Sequence, residues 1–402
     1  MMKQVKLALM MFVQFLMLPG WLVPLLPYVQ NLEGGADWVF ACGLLMGVGT
    51  FASPLVGMFA DRFLNAEKVL ALCNLATAVL LGAAFFVRDP AVLFVVLLLA
   101  MFVYMPTWSV SSAIAMAHSS SEDFPKLRVF GSLGWVASGA FSVIGVKLFG
   151  VADFDATPWI FASGAGAALA GAALALTLPA TPPKAKGTPM SVVDALGLKA
   201  FTLFRDPVFA AFGVLITLAM VPFYWYVMYN AMYLAESGFK YLTLTQNLGQ
   251  VGEIAFMLMI PLIVRKCGYK GAMIIGLGAV AFRYVAFALA SSLGVAAGDF
   301  GGILVHGLAF GLLCVGSQMY IDSSAPPELK NQAQGLVMLL TNGVGLFVSN
   351  FVFHLILGAN VATATPLRHD WTPPYLIALA MSVVLMLAMA TLFRPRGSGK
   401  GI

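Results

Sequence analysis

Pro179-Ala-Thr-Pro182-Pro183-Lys184-Ala-Lys186-Gly187-Thr-Pro189 interrupts a chain that is otherwise almost wholly apolar. Proline, lysine and glycine at this density are linker chemistry. The stretch opens a polar gap that runs to Asp206. Its second part, Met190 to Phe204, mixes apolar residues with Asp194 and Lys199, and reads either as a helix lying on the inner membrane face or as an ordinary ordered loop. On each side of the gap the sequence falls into apolar runs of the length that crosses a bilayer, about 20 residues. Six precede it, near 7–30, 38–60, 69–87, 91–117, 127–149 and 158–179. Six follow, near 208–234, 245–264, 271–291, 300–321, 332–358 and 373–393. The pattern predicts an all-α integral membrane protein of twelve transmembrane helices in two six-helix bundles, residues 1–180 and 207–402, joined by a cytoplasmic linker at 181–206. Pro54-Leu55 and Pro261-Leu262 each close the second helix of their half, a weak echo between the two.

Composition leaves little room for another class. Hydrophobic residues make up 61% of the 402 and charged residues 10%, against about 25% charged in soluble domains. Most of the exterior must therefore face lipid. The four cysteines (Cys42, Cys73, Cys267, Cys314) sit in or beside apolar runs without CxxC spacing and read as small hydrophobes. The first apolar run exceeds signal-peptide length and is expected to stay as helix 1. A net charge of +5 does not point to nucleic acid, because the basic residues are scattered among short loops. Of 22 Lys and Arg, only Arg88, Lys147, Lys240 and Arg368 fall on the side away from the termini, and Arg283 lies within a span. Acidic residues split evenly, so the bias is in Lys and Arg alone. The positive-inside rule then places both termini in the cytoplasm of a multi-pass protein.

The polar residues within spans are the candidate functional groups, since an ionisable side chain inside a membrane is costly. Glu253 is the single acid within a predicted span. Desolvation would favour uptake and release of a proton there, and a buried ion pair is the structural alternative. Glu253, Arg283 and His306 lie at similar predicted depth, roughly 9–12 Å below the outer boundary at 1.5 Å per residue. Arg283 either pairs with Glu253 or holds helix 9 through backbone carbonyls. His306 is a proton relay, a substrate donor or a packed polar residue. Arg128, Ser132 and Trp135 fall at i, i+4 and i+7 and share a helix face. A cation, a hydroxyl and a large aromatic suit a set of sugar hydroxyls plus a planar ring, with an interfacial anchor the alternative for Arg128 and plain packing for Trp135. Gln14 and Trp21 share a face of helix 1, and Tyr224, Tyr229 and Asn230 add polar tips on helix 7, which suggests a lined cavity. Asp61-Arg62 reads as a charge pair that ties helix ends in one conformational state, or as a solvated loop pair. No catalytic constellation appears: none of the four His has metal-ligand spacing with another, and no Walker loop, GxSxG or dinucleotide fingerprint stands in context. The expectation is therefore no enzyme, no cofactor, no bound metal, and transport driven by an ion gradient or by the substrate's own.

Several strings are familiar in their order and helix placement. Gly57-Met-Phe-Ala-Asp61-Arg62 after helix 2 resembles the signature of the major facilitator superfamily. Tyr104-Met-Pro-Thr107 lies in helix 4, and Phe124-Pro-Lys-Leu-Arg128-Val-Phe-Gly131-Ser132-Leu-Gly134-Trp135 opens helix 5. Gln250-Val-Gly-Glu253 lies in helix 8, and Ala333-Gln334-Gly335 with Thr341-Asn342-Gly343-Val-Gly345 in helix 11. Together, from helix 1 to helix 12, they resemble the nucleoside:proton symporter family. The resemblance implies a major facilitator fold and proton-coupled nucleoside import across a bacterial inner membrane, by a monomer embedded in the lipid bilayer. It assigns ligand contact to Arg128, Ser132, Trp135, Gln250, Glu253, His306 and Phe310, with Tyr224 at a further helix 7 position and Glu253 and His306 as the proton-coupling pair. Two departures matter. The family pattern has two amide side chains on helix 7, where this chain has Tyr224 and Val227, and an acid after the helix 10 aromatic, where it has Gly311. The first leaves a sugar or another polar metabolite open as the substrate. The second leaves an uncoupled facilitator open. A substrate-sensing receptor is the rival from another class; the tail after Phe393, nine residues without an output domain, argues against it.

Overall fold

The computed structural model describes residues 2–119, 124–183, 198–257, 259–326, 330–364 and 367–395. The polar linker from Lys184 to Gly197, including the Asp194 part of the proposed surface helix, lies outside the described residues. Its far end, Leu198–Arg205, is a 3-10 helix.

Prolines set many of the helix breaks. Helix 1 runs over Met2–Leu16, Pro19–Leu22 and Leu25–Gln30, turning at Pro19 and Pro24. Helix 2 is Val39–Gly43, Leu45–Thr50 and Ser53–Arg62, and helix 3 is Ala66–Ala84. Helix 4 restarts at Pro106 between Pro90–Tyr104 and Pro106–His118. At Pro19, Pro54 and Pro106 the proline takes the first turn of the segment it opens, where its missing N–H is no loss. Helix 5 is Phe124–Ala137 and Ala140–Phe149, bent by 42°. Helix 6 is Trp159–Ala175.

Helix 7, Pro207–Glu236, continues through Pro222. Beside that proline the Val221 carbonyl accepts from Ser349 Oγ at 2.6 Å and the Pro222 carbonyl from Tyr284 Oη, side-chain bonds that tie this part of helix 7 to its neighbours. Helix 8 begins as Leu242–Met257. A stretch of continuous helix, Ile260–Leu293, then hides a break at Gly268, whose φ of 67° and ψ of 174° end helix 8 and let helix 9 start. Only glycine adopts that conformation without strain. Helix 10 is Ala296–Leu304, His306–Phe310, a π turn at Gly311–Val315, and Gly316–Ser324. Helix 11 is Lys330–Met338, a second π turn at Leu339–Gly345, and Leu346–Gly358. An antiparallel pair of short strands, Val361–Ala364 and Leu367–His369, leads to helix 12, Thr372–Leu392.

Among the described residues nine helices are long and apolar enough to cross a membrane, and the bent helix 5 makes ten. Helix 6 misses by length at 17 residues, and helices 8 and 9 are counted once unless divided at Gly268. With that division the helical segments follow the order of the twelve predicted spans. Large apolar side chains such as Leu72, Val79, Val95, Leu169, Val384 and Leu387 are exposed, a surface suited to lipid.

The chain forms two compact units. The first comprises Met1–Met190 with Ala231–Asn247, the second Ser191–Asn230 with Leu248–Ile402. In the first, helices 1, 3, 4 and 5 bury Leu7, Met11, Leu70, Ile114 and Leu127. Helix 5 presses on helix 1 so closely at Gly134 that any Cβ there would run into the Phe12 carbonyl. The start of helix 8 is fixed to the same unit: the Leu242 N–H donates to Asp155 Oδ2 at 2.8 Å, and Asn247 Nδ2 donates to the Trp135 carbonyl at 2.9 Å and to Ser138 Oγ at 3.1 Å. The second unit has its own apolar cluster of Ile260, Val264, Ala272 and Leu312.

Candidate transport site

Helix 5 carries the first group of predicted residues. Arg128 is exposed, with its guanidinium carbon 4.1 Å from the centre of the Phe15 ring. Ser132 and Trp135 are half-buried on the turns above it. Trp135 meets Trp108 edge to face at 6.4 Å, and Trp108 in turn packs on Phe15 at 4.8 Å. The Trp108 Nε1–H donates to Tyr104 Oη at 2.9 Å, and that hydroxyl donates to the Gln14 carbonyl at 2.6 Å. Arg128 and Trp135 are thus held on a row of aromatic side chains that includes Phe15 and Trp108, which sequence reasoning did not single out. A guanidinium over an aromatic face is a favourable contact.

The expectation for helix 1 needs correcting. Gln14 and Trp21 do not line a cavity; each is about 1% exposed. Gln14 Nε2 donates to Asn74 Oδ1 at 3.0 Å and to Thr107 Oγ1, while Asn74 Nδ2 returns a bond to Gln14 Oε1 at 3.1 Å. Trp21 packs against Phe161 and the bare backbone at Gly164. Polar groups in a membrane turn inward to find partners, and here the partners are other side chains.

The second unit gathers Tyr224, His306 and Phe310 around Phe223. The Phe223 ring stacks on the His306 imidazole at 5.6 Å and lies 6.4 Å from Phe310, and Phe310 is 6.0 Å from His306. Tyr224 donates its hydroxyl to Asn342 Oδ1 on helix 11, so the residue that replaces an amide on helix 7 reaches one on its neighbour. Val227 is half-buried. Tyr229, expected to offer a polar tip, donates to Asn350 Oδ1 inside the unit, and Asn230 is 3% exposed.

Glu253 is 7% exposed and Gln250 half-buried, one turn apart on helix 8. Helices 8 and 10 cross through glycines. A Cβ on Gly252 would sit 2.6 Å from the Leu304 carbonyl oxygen, and one on Gly307 would enter the Glu253 backbone. This crossing sets Glu253 against the turn that holds His306. At the position after Phe310, a Cβ on Gly311 would lie 2.5 Å from Ile260 Cδ1, the tip of a flexible side chain that would have to shift to admit it. Among the described residues three further acids are buried, Glu67, Asp155 and Asp299, but at helix ends or in loops. Asp299 corrects the predicted boundary: helix 10 begins at Ala296 and takes this acid into its first turn. The Asp61 side chain lies outside the described residues; Arg62 is half-buried in the last turn of helix 2.

Arg283 is fully buried and bonds the Gly302 carbonyl through Nε at 3.1 Å and His306 Nδ1 through Nη2 at 3.2 Å. Its carbon lies 4.0 Å from the centre of the Tyr226 ring. Of the two roles open in the sequence, anchoring to a backbone carbonyl is the one seen; no carboxylate bonds it among the described residues.

Apolar helices long enough to cross a membrane, with a buried carboxylate, arginine and histidine within them, suit a secondary transporter, and similarity to known proteins shows which class. The solved structure of the nucleoside transporter NupG superposes on it with a TM-score of 0.85 at 25% identity, covering 98% of this chain and 100% of that one. A POT family peptide transporter shares the fold at a TM-score of 0.73 and 13% identity, over 100% of this chain and 98% of that one. The family model described as nucleoside H+ symporter matches residues 1–398, and the chain belongs to that family. It is 33% identical to YegT of Escherichia coli (strain K12) over 97% of this chain and 93% of the relative. It is 26% identical to the nucleoside permease NupG of the same organism, over 97% and 96%. The chain is therefore a multi-pass membrane transporter of nucleosides with protons, not an enzyme.

Proposed function

We propose that this chain carries nucleosides inward across a bacterial inner membrane as a monomer with both termini in the cytoplasm, and that Glu253 is the principal proton carrier. Glu253 carries the reading: it is a buried acid in the body of a membrane helix, one turn from Gln250 and against the turn of His306. An ionisable side chain inside a membrane helix is costly to keep, which makes it a candidate for the proton pathway. Arg128 and Ser132 are the donors for ribose hydroxyls or base carbonyls, Trp135 and Phe310 the apolar faces for the base, and Gln250, Tyr224 and His306 the further polar contacts. Residues 1–180 and 207–402 act as the alternating halves, with 181–206 as their linker and Asp61-Arg62 as a conformational charge pair.

The test is uptake of labelled uridine, adenosine and simple sugars into cells or proteoliposomes, with and without a protonophore. The unmutated protein is expected to concentrate nucleoside until the proton gradient collapses. Glu253→Gln keeps size and hydrogen bonding but cannot release a proton, so it is expected to lose accumulation while retaining some binding or exchange. Concentrative uptake by Glu253→Gln that still collapses with the protonophore would remove Glu253 from the role. Gly311 favours a second reading, an uncoupled facilitator, because that position holds no second acid. Uptake by the unmutated protein that ignores a pH gradient would select it.

A further inference from the structure

His306 combines two features that fix its protonation state. Its Nδ1 lies 3.2 Å from Arg283 Nη2, and a guanidinium has only donors. Nδ1 must therefore accept, which makes the imidazole neutral and places its single proton on Nε2. A second proton on Nδ1 would break this bond and set two cations against each other in a buried site. The ring is also held against turning over. Phe223 stacks on it at 5.6 Å and 24° between planes, Tyr226 at 5.0 Å and Phe310 at 6.0 Å enclose it, and Gly249 brings helix 8 against its Cβ. Arg283 is itself anchored by the Gly302 carbonyl and the Tyr226 face. The other titratable groups around the ring are Tyr226 on helix 7, Tyr284 beside Arg283 with its hydroxyl given to the Pro222 carbonyl, and Glu253 on helix 8 across the Gly307 crossing. Among the described residues nothing accepts from Nε2, although the residue is 5% exposed.

We propose that Arg283 is a positioning residue that holds His306 in the neutral Nε2–H form, so that the imidazole serves as a fixed hydrogen-bond donor to a base or ribose oxygen and not as a carrier of the transported proton. The inference rests on the nucleoside reading for the identity of the acceptor, and revises the proton-coupling role expected of His306. Coupling then falls to Glu253 alone, with a permanent guanidinium keeping the neighbouring ring out of the titration.

Nitrogen-15 spectra of histidine-labelled protein in lipid test the protonation state directly, with the His306→Gln chain used to assign the signal among four histidines. The expected result is one protonated nitrogen, Nε2, unchanged from about pH 5 to pH 8. A His306 ring that gains a second proton in that range, or carries its proton on Nδ1, overturns the proposal. Binding of labelled uridine to purified protein tests the consequence. His306→Phe, which has no donor, is expected to bind about 10-fold more weakly, equivalent to about 1.4 kcal/mol. His306→Gln, whose amide stands near Nε2, is expected to recover part of that loss. Arg283→Gln frees the ring, so, compared in a Glu253→Gln background, binding is expected to gain a pH-dependence near the ordinary histidine range, and adding His306→Gln should abolish that added dependence. A His306→Phe chain that binds as well as the unmutated one overturns the donor role. Should Arg283→Gln fail to fold, the spectra of the unmutated chain still decide. Should the unmutated chain bind no nucleoside, the transport reading fails while the spectra still decide the protonation state.

Discussion

Asp155 offers a test of how burial is balanced in this protein, because it lies in the loop after helix 5, outside the spans. It is 3% exposed; one carboxyl oxygen accepts from the Leu242 N–H at the start of helix 8, and the other has no partner among the described residues. Burial pushes its pKa up from 3.8 to about 6, against the Leu242 N–H and the backbone and hydroxyl of Thr243, which favour the charged form. Two units and a fraction at about 1.36 kcal/mol each make ~3 kcal/mol. The folded chain binds this proton more tightly than the unfolded chain, so the stability it confers is complete below about pH 4 and is lost as pH rises through about 6. Asp155→Asn keeps an oxygen for Leu242 and never ionises. At pH 8 it is expected to be more stable than the unmutated protein by up to ~3 kcal/mol, and at pH 4 about equal. Unfolding in detergent followed by tryptophan fluorescence at a series of pH values measures the difference. An unmutated chain that is the more stable of the two at pH 8, by a margin that grows with pH, would show that the charge bound to the helix N-terminus outweighs its desolvation and would refute the argument.

Other expectations follow from single contacts. Gly307→Ala drives a Cβ into the Glu253 backbone and should cost about 1–3 kcal/mol of stability, seen as a lower unfolding temperature together with weaker uridine binding; unchanged behaviour would mean that helices 8 and 10 are not so closely joined. Gly311→Asp, which introduces the acid of the family pattern, should destabilise by less than Gly307→Ala, because the atom in its way is the movable end of Ile260, and Ile260→Ala in the same chain should relieve part of the loss; a larger loss than at Gly307 would mean that Ile260 cannot turn aside. Gln14→Leu strands the buried Asn74 amide and should cost about 1–3 kcal/mol; a stability equal to the unmutated protein's would return Gln14 to the list of ligand candidates.

Much of the helical frame was legible because a spanning helix declares itself by length and apolarity. The joins were less so. Helices 8 and 9 run together until Gly268 adopts a conformation that no hydropathy pattern records, and Asp299 was left outside helix 10 because acids usually mark span ends. Depth arithmetic brought Arg283 and His306 to one level, and the structure joins them. The same reasoning failed for Gln14, since an inward polar group can be satisfied by Asn74 and Thr107 as well as by a ligand. Phe15, Trp108 and Phe223 escaped notice because aromatic residues are ordinary in membrane helices; only their neighbours, Arg128, Trp135 and His306, set them apart.

The π turns at Gly311–Val315 and Leu339–Gly345 bear on how this gene can vary in length. Removing one residue from an α-helix rotates everything beyond it by about 100° and sends each later side chain to a different face. A π turn already carries one residue more than the α-helical path requires. Loss of a codon within either stretch can be absorbed by closing the bulge to α geometry, leaving Gln318 on helix 10, or Ser349 and Asn350 on helix 11, aimed much as before. Helices 10 and 11 therefore each contain a place where a single-residue deletion is less damaging than in the regular turns on either side, which a one-codon deletion scan through residues 306–324 and 333–358 would reveal as two narrow islands of tolerance.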